Sequence, residues 1–413
     1  MSKPMGSVPP GYAADQAGTL RIGGHGAEAL AARAGGTPLF VYDAAMVRER
    51  IARFRRAFSG VNLHYAVKAN PYPPLLKHIS SQVDGFDVAS AGEMRQALAA
   101  GVPAADISFA GPGKTDDELA AAIHAGITLN LESEGEAERA LSIARARGMR
   151  ARLAVRVNPD FEIRGSGMRM GGGARPFGVD AERVPALVRR LLESEADWRG
   201  FHIFAGSQAL EASALVEAQR ATLALAARLA EAAGAAPPMI NLGGGFGIPY
   251  VHGERPLDVE AVGAALAQTL AARPPILGHT GFAIELGRWL VGEAGVYLTR
   301  IVDRKESHGK TFLVTDGGMH HQLAASGNFG QVVRRNFPVA IASRFAAAPE
   351  EEVSIVGCLC TPLDRLGDDV ALPIARVGDL VAVFLAGAYG LSASPQAFLG
   401  HPPAREILVG DEA

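Results

Sequence analysis

A lysine, a run of glycines and a glutamate–arginine pair are the residues of this sequence whose types and positions best suit catalysis. Lys68 directly follows the apolar run 63–67. Burial beside such a run would lower the pKa of the amine and favour the neutral form, which attacks carbonyl groups. For this lysine taken alone, a surface position at the end of a strand is the simpler interpretation.

The glycine run Gly243–Gly245 follows another apolar stretch, and Glu285 and Arg288 lie at the end of a third. Glycines let bare backbone N–H groups approach a phosphate, and an arginine adds a charge-assisted contact to the same anion. A tight turn is the commoner reason for consecutive glycines, so this run alone is a weak signal. A lysine amine together with an anion site is a more specific sign of a catalytic site than the glycine run alone.

The elements that must position these residues are alternating strands and helices. Apolar runs that suit buried strands are separated by stretches with helical spacing, which is typical of parallel βα units. Eight such runs predict a closed (β/α)8 barrel, in which functional residues follow the C-terminal ends of the strands. The runs are Leu63–Val67, Gly85–Val88, Ile107–Ala110, Ile127–Leu131, Leu153–Val157, Gly200–Phe204, Met239–Leu242 and Phe282–Leu286. The helical stretches include Ala91–Ala100, Asp116–Ala125, Glu134–Arg147, Arg183–Leu192 and Leu215–Ala233.

Beyond Val291 the pattern changes from long amphipathic helices to short β-like runs, which predicts a mostly antiparallel β domain. We expect Leu20–Ile22 to add a strand to this domain. The predicted domains are a barrel of residues 37–288 and a β domain of residues 11–36 and 289–413 that completes the site. The β-like runs are Val296–Val302, Thr311–Thr315, Glu352–Val356 and Leu380–Phe384.

The composition excludes several classes of partner. The chain has 413 residues, of which 48% are hydrophobic and 20% charged, and a formal net charge of -3. This balance gives no electrostatic reason to expect a nucleic acid or an anionic membrane as partner. Cys358 and Cys360 are the two cysteines, too few for a disulfide framework, and no secretion signal is apparent. We therefore expect a cytoplasmic protein.

Six motifs, in the right order along nearly the whole chain, resemble those of the fold-type III pyridoxal-phosphate decarboxylases. That family includes the diaminopimelate, ornithine and arginine decarboxylases. The resemblance implies an α/β fold: a (β/α)8 barrel plus a mostly antiparallel β domain, as in alanine racemase. The motifs are Tyr65-Ala-Val-Lys-Ala-Asn70, Asp87-Val-Ala-Ser90, Gly206-Ser-Gln208, Asn241-Leu-Gly-Gly-Gly-Phe-Gly247, Asp316-Gly-Gly318 and Gly387-Ala-Tyr-Gly390.

The resemblance also implies residue roles. Lys68 would hold pyridoxal 5′-phosphate as a Schiff base, and Glu285 would face the pyridine nitrogen, where a carboxylate keeps the nitrogen protonated. Cys360 would donate a proton to the active site of the partner chain in a homodimer, and Asp364 closes the cysteine motif. The remaining cofactor-binding residues would be Asp87, Phe204, Ser207, Gly243, Gly244, Gly245, Arg288 and Tyr389.

Phe204 is one departure from the family, because it replaces a histidine that stacks on the cofactor ring. His202, on the same face of that strand, would either reach the pocket or fill the barrel layer, and we favour the filling role. Thr361 replaces a glutamate that follows the cysteine in diaminopimelate decarboxylases. The run after Gly318 lacks the arginine and the tyrosine that hold substrate in diaminopimelate decarboxylases. The usual Glu-Pro-Gly-Arg of the family is Glu285-Leu-Gly-Arg288 in this sequence. The family's Tyr-Asn pair near the C-terminus is replaced around Phe398–Leu399.

Two of these departures, Thr361 and the run after Gly318, remove the charged partners for the distal end of diaminopimelate. The run His320–Gly330 resembles a divergent subgroup that includes carrier-protein aminoacyl decarboxylases and exosortase-associated decarboxylases. We therefore predict decarboxylation of an amino acid, or of an aminoacyl substrate tethered to a carrier protein, in secondary metabolism. The predicted substrate contacts are His320, His321, Thr361 and Asp364.

Three alternatives stay open. The first is a free diamino acid, namely diaminopimelate, ornithine or lysine, as substrate. The second is a racemase or epimerase, against which Glu285 and Cys360 argue. The third is a regulator without activity, against which the retained Lys68 and phosphate motifs argue.

The neighbouring His320 and His321 raise the question of a metal site. In an extended segment, adjacent side chains point to opposite faces and cannot ligate one ion together. No cluster of further ligands is apparent in the sequence. We therefore predict no metal ion, and one of the two histidines near the substrate.

Overall fold

The computed structural model of the chain describes residues 2–161, 168–169, 172–204, 206–329, 331 and 333–410. These residues form two compact units. One unit contains Arg50–Gly247 and Pro256–Gly287, and the other contains residues up to Glu49, Ile248–Arg255 and residues from Arg288 onward. Gly330 of the predicted substrate run and the last three residues of the predicted β domain lie outside the described residues.

The first unit contains a closed barrel of parallel strands. The first strand pairs with the eighth, and the fourth pairs with the fifth, so the ring of neighbours is complete. Parallel strands covered by helices are buried on both faces, which explains why they are apolar nearly throughout. The barrel strands are Asn62–Ala66, Gly85–Val88, Ile107–Phe109, Thr128–Leu131, Arg152–Asn158, Asp197–Ile203, Met239–Asn241 and Gly281–Leu286. The predicted barrel is confirmed.

Side-chain caps fix where the barrel helices begin. Ser90, Thr115 and Ser133 each accept a hydrogen bond from the backbone N–H three residues later, so each helix begins at the residue that directly follows its cap. Among the described residues, no helix combines the length and apolar character that a membrane span needs. The helices are Pro73–Ser80, Ala91–Ala99, Asp116–Ala125, Glu134–Ala146, Val184–Leu192, Ala212–Ala233 and Val259–Ala271, with short 3₁₀ segments at Val67–Ala69, Ala104–Asp106 and Pro275–Leu277. Short strands lie at Met168–Arg169, Val179–Asp180 and Gly206–Ser207.

The second unit is built on a mostly antiparallel sheet. The long strand Gly295–Ser307 is its centre and pairs antiparallel with three neighbours. The other strands are Leu39–Asp43, Lys310–Thr315, Val339–Ile341, Glu351–Val356, Arg365–Leu372, Leu380–Val383 and Arg405–Val409. The helices are Ala27–Arg33 and Arg288–Val291, with 3₁₀ segments at Gly292–Ala294, Ala324–Ser326, Ala342–Arg344, Leu391–Ala393 and Phe398–Gly400, while Ala44–Ala57 runs from this unit into the barrel unit. The predicted β domain is confirmed as a fold.

Two segments pair differently from the expectation. Leu20–Ile22 is a strand, but it lies between Ala13–Ala14 and His25–Gly26 in a separate small sheet. The Asp15 carboxylate accepts the N–H groups of Ala17 and Thr19 and closes the first turn, so a local hairpin partner already occupies that edge of the strand. The sequence also places residues 37–43 in the barrel segment, whereas Leu39–Asp43 pairs with Gly295–Leu298 of the larger sheet. The domain boundaries at residues 37 and 288 stay a prediction.

Candidate active site

Lys68 lies in a short 3₁₀ turn that directly follows the first barrel strand. The Tyr65 hydroxyl donates to the Asn70 carbonyl at 2.9 Å, and the Asn70 N–H donates to the Val67 carbonyl at 3.0 Å, so the turn is held at both ends. The Lys68 Nζ lies 5.5 Å from the centroid of the Phe204 ring. The lysine side chain is exposed although its neighbours Val67 and Ala69 are buried, so the expectation that the apolar run desolvates the amine is wrong.

Glu285 and His202 form a buried pair inside the barrel. His202 Nε2 lies 3.0 Å from Glu285 Oε2, and the two side chains are 3% and 6% exposed. Burial alone raises the pKa of Glu285, but the charge and hydrogen bond of His202, with weaker contributions from Lys68 and Arg156, hold that pKa well below its usual range. The contact gives His202 a partner among the predicted cofactor-binding residues. A buried ring with this contact is compatible with the filling role and with the pocket role, so its role stays a prediction.

The glycine turn after the seventh strand has no room for side chains. Gly243 and Gly245 have positive φ angles of 68° and 80°, which glycine adopts at little cost. A Cβ on Gly244 would lie 1.8 Å from the Glu285 carbonyl oxygen, and one on Gly245 would lie 2.3 Å from the Gly206 carbonyl oxygen. The turn therefore packs directly against the eighth strand and against the short strand that carries Ser207. Such a bare-backbone cradle fits the approach of a phosphate.

Asp87 lies on the second barrel strand and is buried. Its Oδ1 accepts a short hydrogen bond from the Ser108 hydroxyl and lies 3.4 Å from His64 Nδ1. Burial lowers the pKa of His64, but the charge and hydrogen bond of Asp87, with the charges of Glu285 and Asp84, together outweigh burial and raise it. Within the described part of the chain, Asp87 Oδ2 is buried and has no hydrogen-bond partner. Its described contacts are thus with Ser108 and His64, two barrel residues for which no role was predicted.

Arg288 and Tyr389 meet in the second unit, and Tyr250 joins them. The Arg288 guanidinium carbon lies 4.6 Å from the Tyr389 ring centroid, and Nη1 donates to the Tyr250 hydroxyl at 2.8 Å. Burial alone lowers the pKa of Arg288, but the two tyrosine hydroxyls outweigh burial and raise it. Among the described residues, Nε of Arg288 is buried without an acceptor, which fits an anion as the missing partner. Tyr389 has a φ of 52°, a strained conformation that often marks a functional position.

Sequence reasoning missed Tyr250. Its position shortly after the Gly243–Gly247 motif was the available signal, since residues that follow a barrel strand often carry function. A lone tyrosine carries no spacing pattern, and only the contact with Arg288 reveals it.

Asp364 holds two loops of the second unit together. Its Oδ1 accepts the Met319 N–H at 2.6 Å, and its Oδ2 accepts the Leu359 N–H at 2.8 Å. Burial raises the pKa of Asp364, and these two N–H groups oppose that rise. Cys360 is exposed and Thr361 is half-buried on the same loop. The backbone contacts identify Asp364 as a positioning residue, and its predicted substrate contact stays a prediction.

His320 and His321 lie in a turn, not in an extended segment, so the expectation that they point to opposite faces is wrong. Their ring centroids lie only 3.7 Å apart. His321 contacts the Tyr297 hydroxyl at 3.1 Å and the Pro402 carbonyl at 2.9 Å. Burial and the neighbouring imidazoles lower the pKa of His320 to about 4, and burial also lowers the pKa of His321. Both rings are therefore predominantly neutral at neutral pH.

The expectation that no further ligands lie near these histidines is also wrong. Ligating atoms of His320, Cys358 and His401 all lie within 4.8 Å of one another. Cys358 and His401 are distant in sequence from His320, so no local spacing could indicate the cluster. Cys358 is half-buried, and burial raises the pKa of its thiol to about 11.

Comparison with known proteins agrees with this geometry. The family model for the pyridoxal-binding domain of pyridoxal-dependent decarboxylases matches residues 44–292. The chain is 37% identical over 379 residues to L-glutamyl-[BtrI acyl-carrier protein] decarboxylase of Niallia circulans, covering 90% of this chain and 88% of that protein. It is 33% identical over 404 residues to diaminopimelate decarboxylase of Methanothermobacter thermautotrophicus, covering 95% and 91%.

The fold comparison gives the same result. The crystal structure of diaminopimelate decarboxylase from M. jannaschii in complex with L-lysine superposes with a TM-score of 0.87 at 27% identity, covering 96% of this chain and 92% of that one. The relatives are thus matched over nearly their whole length, in sequence and in fold. The chain belongs to the pyridoxal-dependent decarboxylases, and it is an amino-acid carboxy-lyase that uses pyridoxal 5′-phosphate.

Proposed function

We propose that this enzyme decarboxylates an aminoacyl group that is tethered to an acyl-carrier protein. The observation that carries the proposal is the neutral character of the segment expected to meet the distal end of the substrate. Residues 319–329 contain no lysine or arginine, and Thr361 stands where diaminopimelate decarboxylases have a glutamate.

A neutral segment favours a substrate whose distal end carries no charge. Diaminopimelate presents an ammonium and a carboxylate there, and burying such a charge without a partner costs several kcal/mol. A thioester removes the carboxylate charge, because the linkage to the carrier is neutral. The relative from Niallia circulans, named as a decarboxylase of a glutamyl-carrier protein, supports this class of substrate.

The barrel residues are proposed to hold the cofactor. Lys68 would supply the amine that carries it, and Ser207 with Gly243–Gly245 would surround its phosphate. Asp87 and Phe204 are also assigned to cofactor binding. When bound, pyridoxal 5′-phosphate supplies the acceptor for the electron pair that remains as carbon dioxide leaves. Glu285, held ionised by His202, would keep a proton on the ring nitrogen.

Residues of the second unit are proposed to complete the chemistry. Arg288 and Tyr389 would bind the phosphate, since the arginine keeps its charge and has an unused buried donor among the described residues. The exposed thiol of Cys360 would protonate the carbon that has lost carbon dioxide, acting across a homodimer.

Free diaminopimelate, lysine or ornithine is the second candidate substrate. The 33% identity to a diaminopimelate decarboxylase over 95% of the chain favours it. The loss of charged residues at the distal positions argues for the carrier-bound class instead.

The test is a comparison of turnover with matched substrates. Carbon dioxide release would be measured with L-glutamyl-carrier protein, free L-glutamate, diaminopimelate, lysine and ornithine, with Lys68→Ala as the inactive control. We expect kcat/KM for a carrier-bound substrate to exceed that for each free amino acid by about 10²-fold or more. Faster release from free diaminopimelate would overturn the proposal and support the second candidate.

A further inference from the structure

We propose that His320, Cys358 and His401 bind one zinc ion. The three side chains come from three separate segments of the second unit, and their ligating atoms lie within 4.8 Å of one another. This site is not required for the decarboxylation proposed above.

The distances suit zinc after small side-chain adjustments. Tetrahedral zinc with its usual bond lengths to sulfur and nitrogen places neighbouring ligand atoms about 3.3–3.6 Å apart. Cys358 Sγ lies 3.8 Å from His401 Nδ1 and 3.9 Å from Nε2. The His320 and His401 ring centroids lie 5.3 Å apart, so rotation of either ring brings a nitrogen into range.

The burial of His320 is evidence for a ligand that does not depend on these distances. Its side chain is 0% exposed, and neither ring nitrogen has a hydrogen-bond partner among the described residues. A buried polar group without a partner is costly, so such groups are rare unless something satisfies them. A thiol–imidazole contact alone would explain Cys358 beside His401, but it leaves His320 unexplained.

Neighbouring residues already hold all three ligands in place. Asp364 accepts backbone N–H groups from Met319, one residue before His320, and from Leu359, one residue after Cys358. His321 Nε2 contacts the carbonyl of Pro402, one residue after His401. Supporting contacts of this kind orient ligands before a metal arrives and raise its affinity. Asp364 and His321 are therefore positioning residues in this proposal.

The donor set matches the chemistry of zinc. One thiolate and two neutral imidazoles are ligands that zinc prefers, and three protein ligands leave a fourth position for water. Binding would release the thiol proton to solvent and form a zinc–sulfur bond, with no change of oxidation state. The contact of the half-buried Cys358 thiol with imidazoles explains why Cys358, not the exposed Cys360, belongs to this site.

The test measures metal content and affinity without using activity. The full-length holoenzyme would be dialysed with Zn²⁺, freed of excess metal and analysed for zinc per chain. Affinity would follow from competition with a chromophoric chelator. Cobalt(II) substitution would report thiolate ligation by absorbance in the red, away from the cofactor band. We expect one zinc per chain and a cobalt–thiolate spectrum.

Single substitutions then locate the ion. Cys358→Ser, His320→Gln and His401→Gln should each weaken zinc binding at least about tenfold, and Cys360→Ser, which removes the neighbouring exposed thiol, should leave it unchanged. His401 is only half-buried, so its variant is expected to fold even where His320→Gln does not. Zinc should raise the melting temperature of the wild type but not of His401→Gln. Absent zinc, or equal affinity in Cys358→Ser, would overturn the proposal.

Discussion

The barrel and the second unit place their functional side chains by different means. In the barrel, Lys68 and Glu285 lie at or just past the ends of strands, and the strand ladder fixes their backbone. In the second unit, Cys358 and His320 lie on loops, and the carboxylate of Asp364 ties those loops together. Thr361 and the run after Gly318, the two departures expected to meet the distal end of the substrate, fall on these loops. In the proposed roles, most cofactor-binding residues lie on the rigid strand ends of the barrel, whereas the proposed substrate contacts lie on loops, where a change of residue disturbs the fold least.

The strongest test of this division is removal of the barrel amine. Lys68→Ala should reduce kcat by about 10³-fold or more, because a covalent catalytic group has no substitute nearby. The side chain is exposed, so the melting temperature should change little. Absorbance of the bound cofactor and carbon dioxide release measure the effect. Lys77→Ala, an exposed lysine on the helix Pro73–Ser80, is the matched control, and equal losses in both variants would contradict the role of Lys68.

Mixing two inactive variants tests whether Cys360 of one chain serves the barrel of the other chain in a homodimer. Cys360→Ala should lower kcat by about 10²-fold or more, as expected for a lost proton donor. If the thiol serves the partner chain, mixing Lys68→Ala with Cys360→Ala under conditions of subunit exchange should restore about a quarter of wild-type activity, since half of the dimers then hold one intact site.

The control for this experiment pairs two barrel variants. Lys68→Ala mixed with Glu285→Gln should recover nothing, because both residues belong to the same barrel and no intact site can form. Recovery in the control, or none in the first mixture, would show that Cys360 does not act across chains.

Removal of the buried Glu285 carboxylate is expected to have the next largest effect on kcat. Glu285→Gln keeps the size and a hydrogen bond to His202 but removes the charge that the barrel maintains. We expect kcat to fall by about 10²-fold, comparable to the loss of one group that stabilises charge in a transition state. Cofactor content should stay near that of the wild type. If cofactor content fell while kcat per bound cofactor stayed the same, Glu285 would contribute to cofactor binding and not to catalysis.

Local patterns were enough to predict the barrel. Each predicted barrel strand overlaps an observed one, and the predicted helix Asp116–Ala125 matches its observed bounds. Apolar runs and helical spacing are local signals, and in parallel βα units the neighbour in sequence is usually the neighbour in space. The residues assigned to the cofactor site came from the resemblance of the motifs to a known family, and that assignment stays a prediction.

Contacts between distant segments were not predictable in the same way. Leu39–Asp43 shows no local sign that it pairs with Gly295–Leu298, because strand pairing in an antiparallel domain depends on residues far along the chain. The same reason hides the contact of His320 with Cys358 and His401. The pairing of His202 with Glu285 required the barrel curvature, which brings side chains of the sixth and eighth strands within 3.0 Å.

The smallest expected effect concerns a charge pair on the outside of the barrel, far from any predicted catalytic residue. Arg53 binds Glu260 with two hydrogen bonds of 2.7 Å, and the pKa of Glu260 is lowered to about 2 mainly by the hydrogen bond from Arg53. Glu260 is 58% exposed, so solvent screening keeps the contribution to about 0.2–1 kcal/mol.

A pH series sharpens this last prediction. Because folding lowers the pKa of Glu260, its stabilisation is complete above the ordinary glutamate pKa and is lost as the pH falls towards 2. Glu260→Gln should therefore lower the free energy of unfolding in urea slightly at pH 7 and at pH 5, and the difference from wild type should shrink by pH 3. Added salt at pH 7 should shrink it as well. If the difference in the free energy of unfolding grew on acidification, the stabilising role of the Glu260 charge would be contradicted. If Glu260→Gln lowered kcat, the separation of the outer helices from the active site would be contradicted.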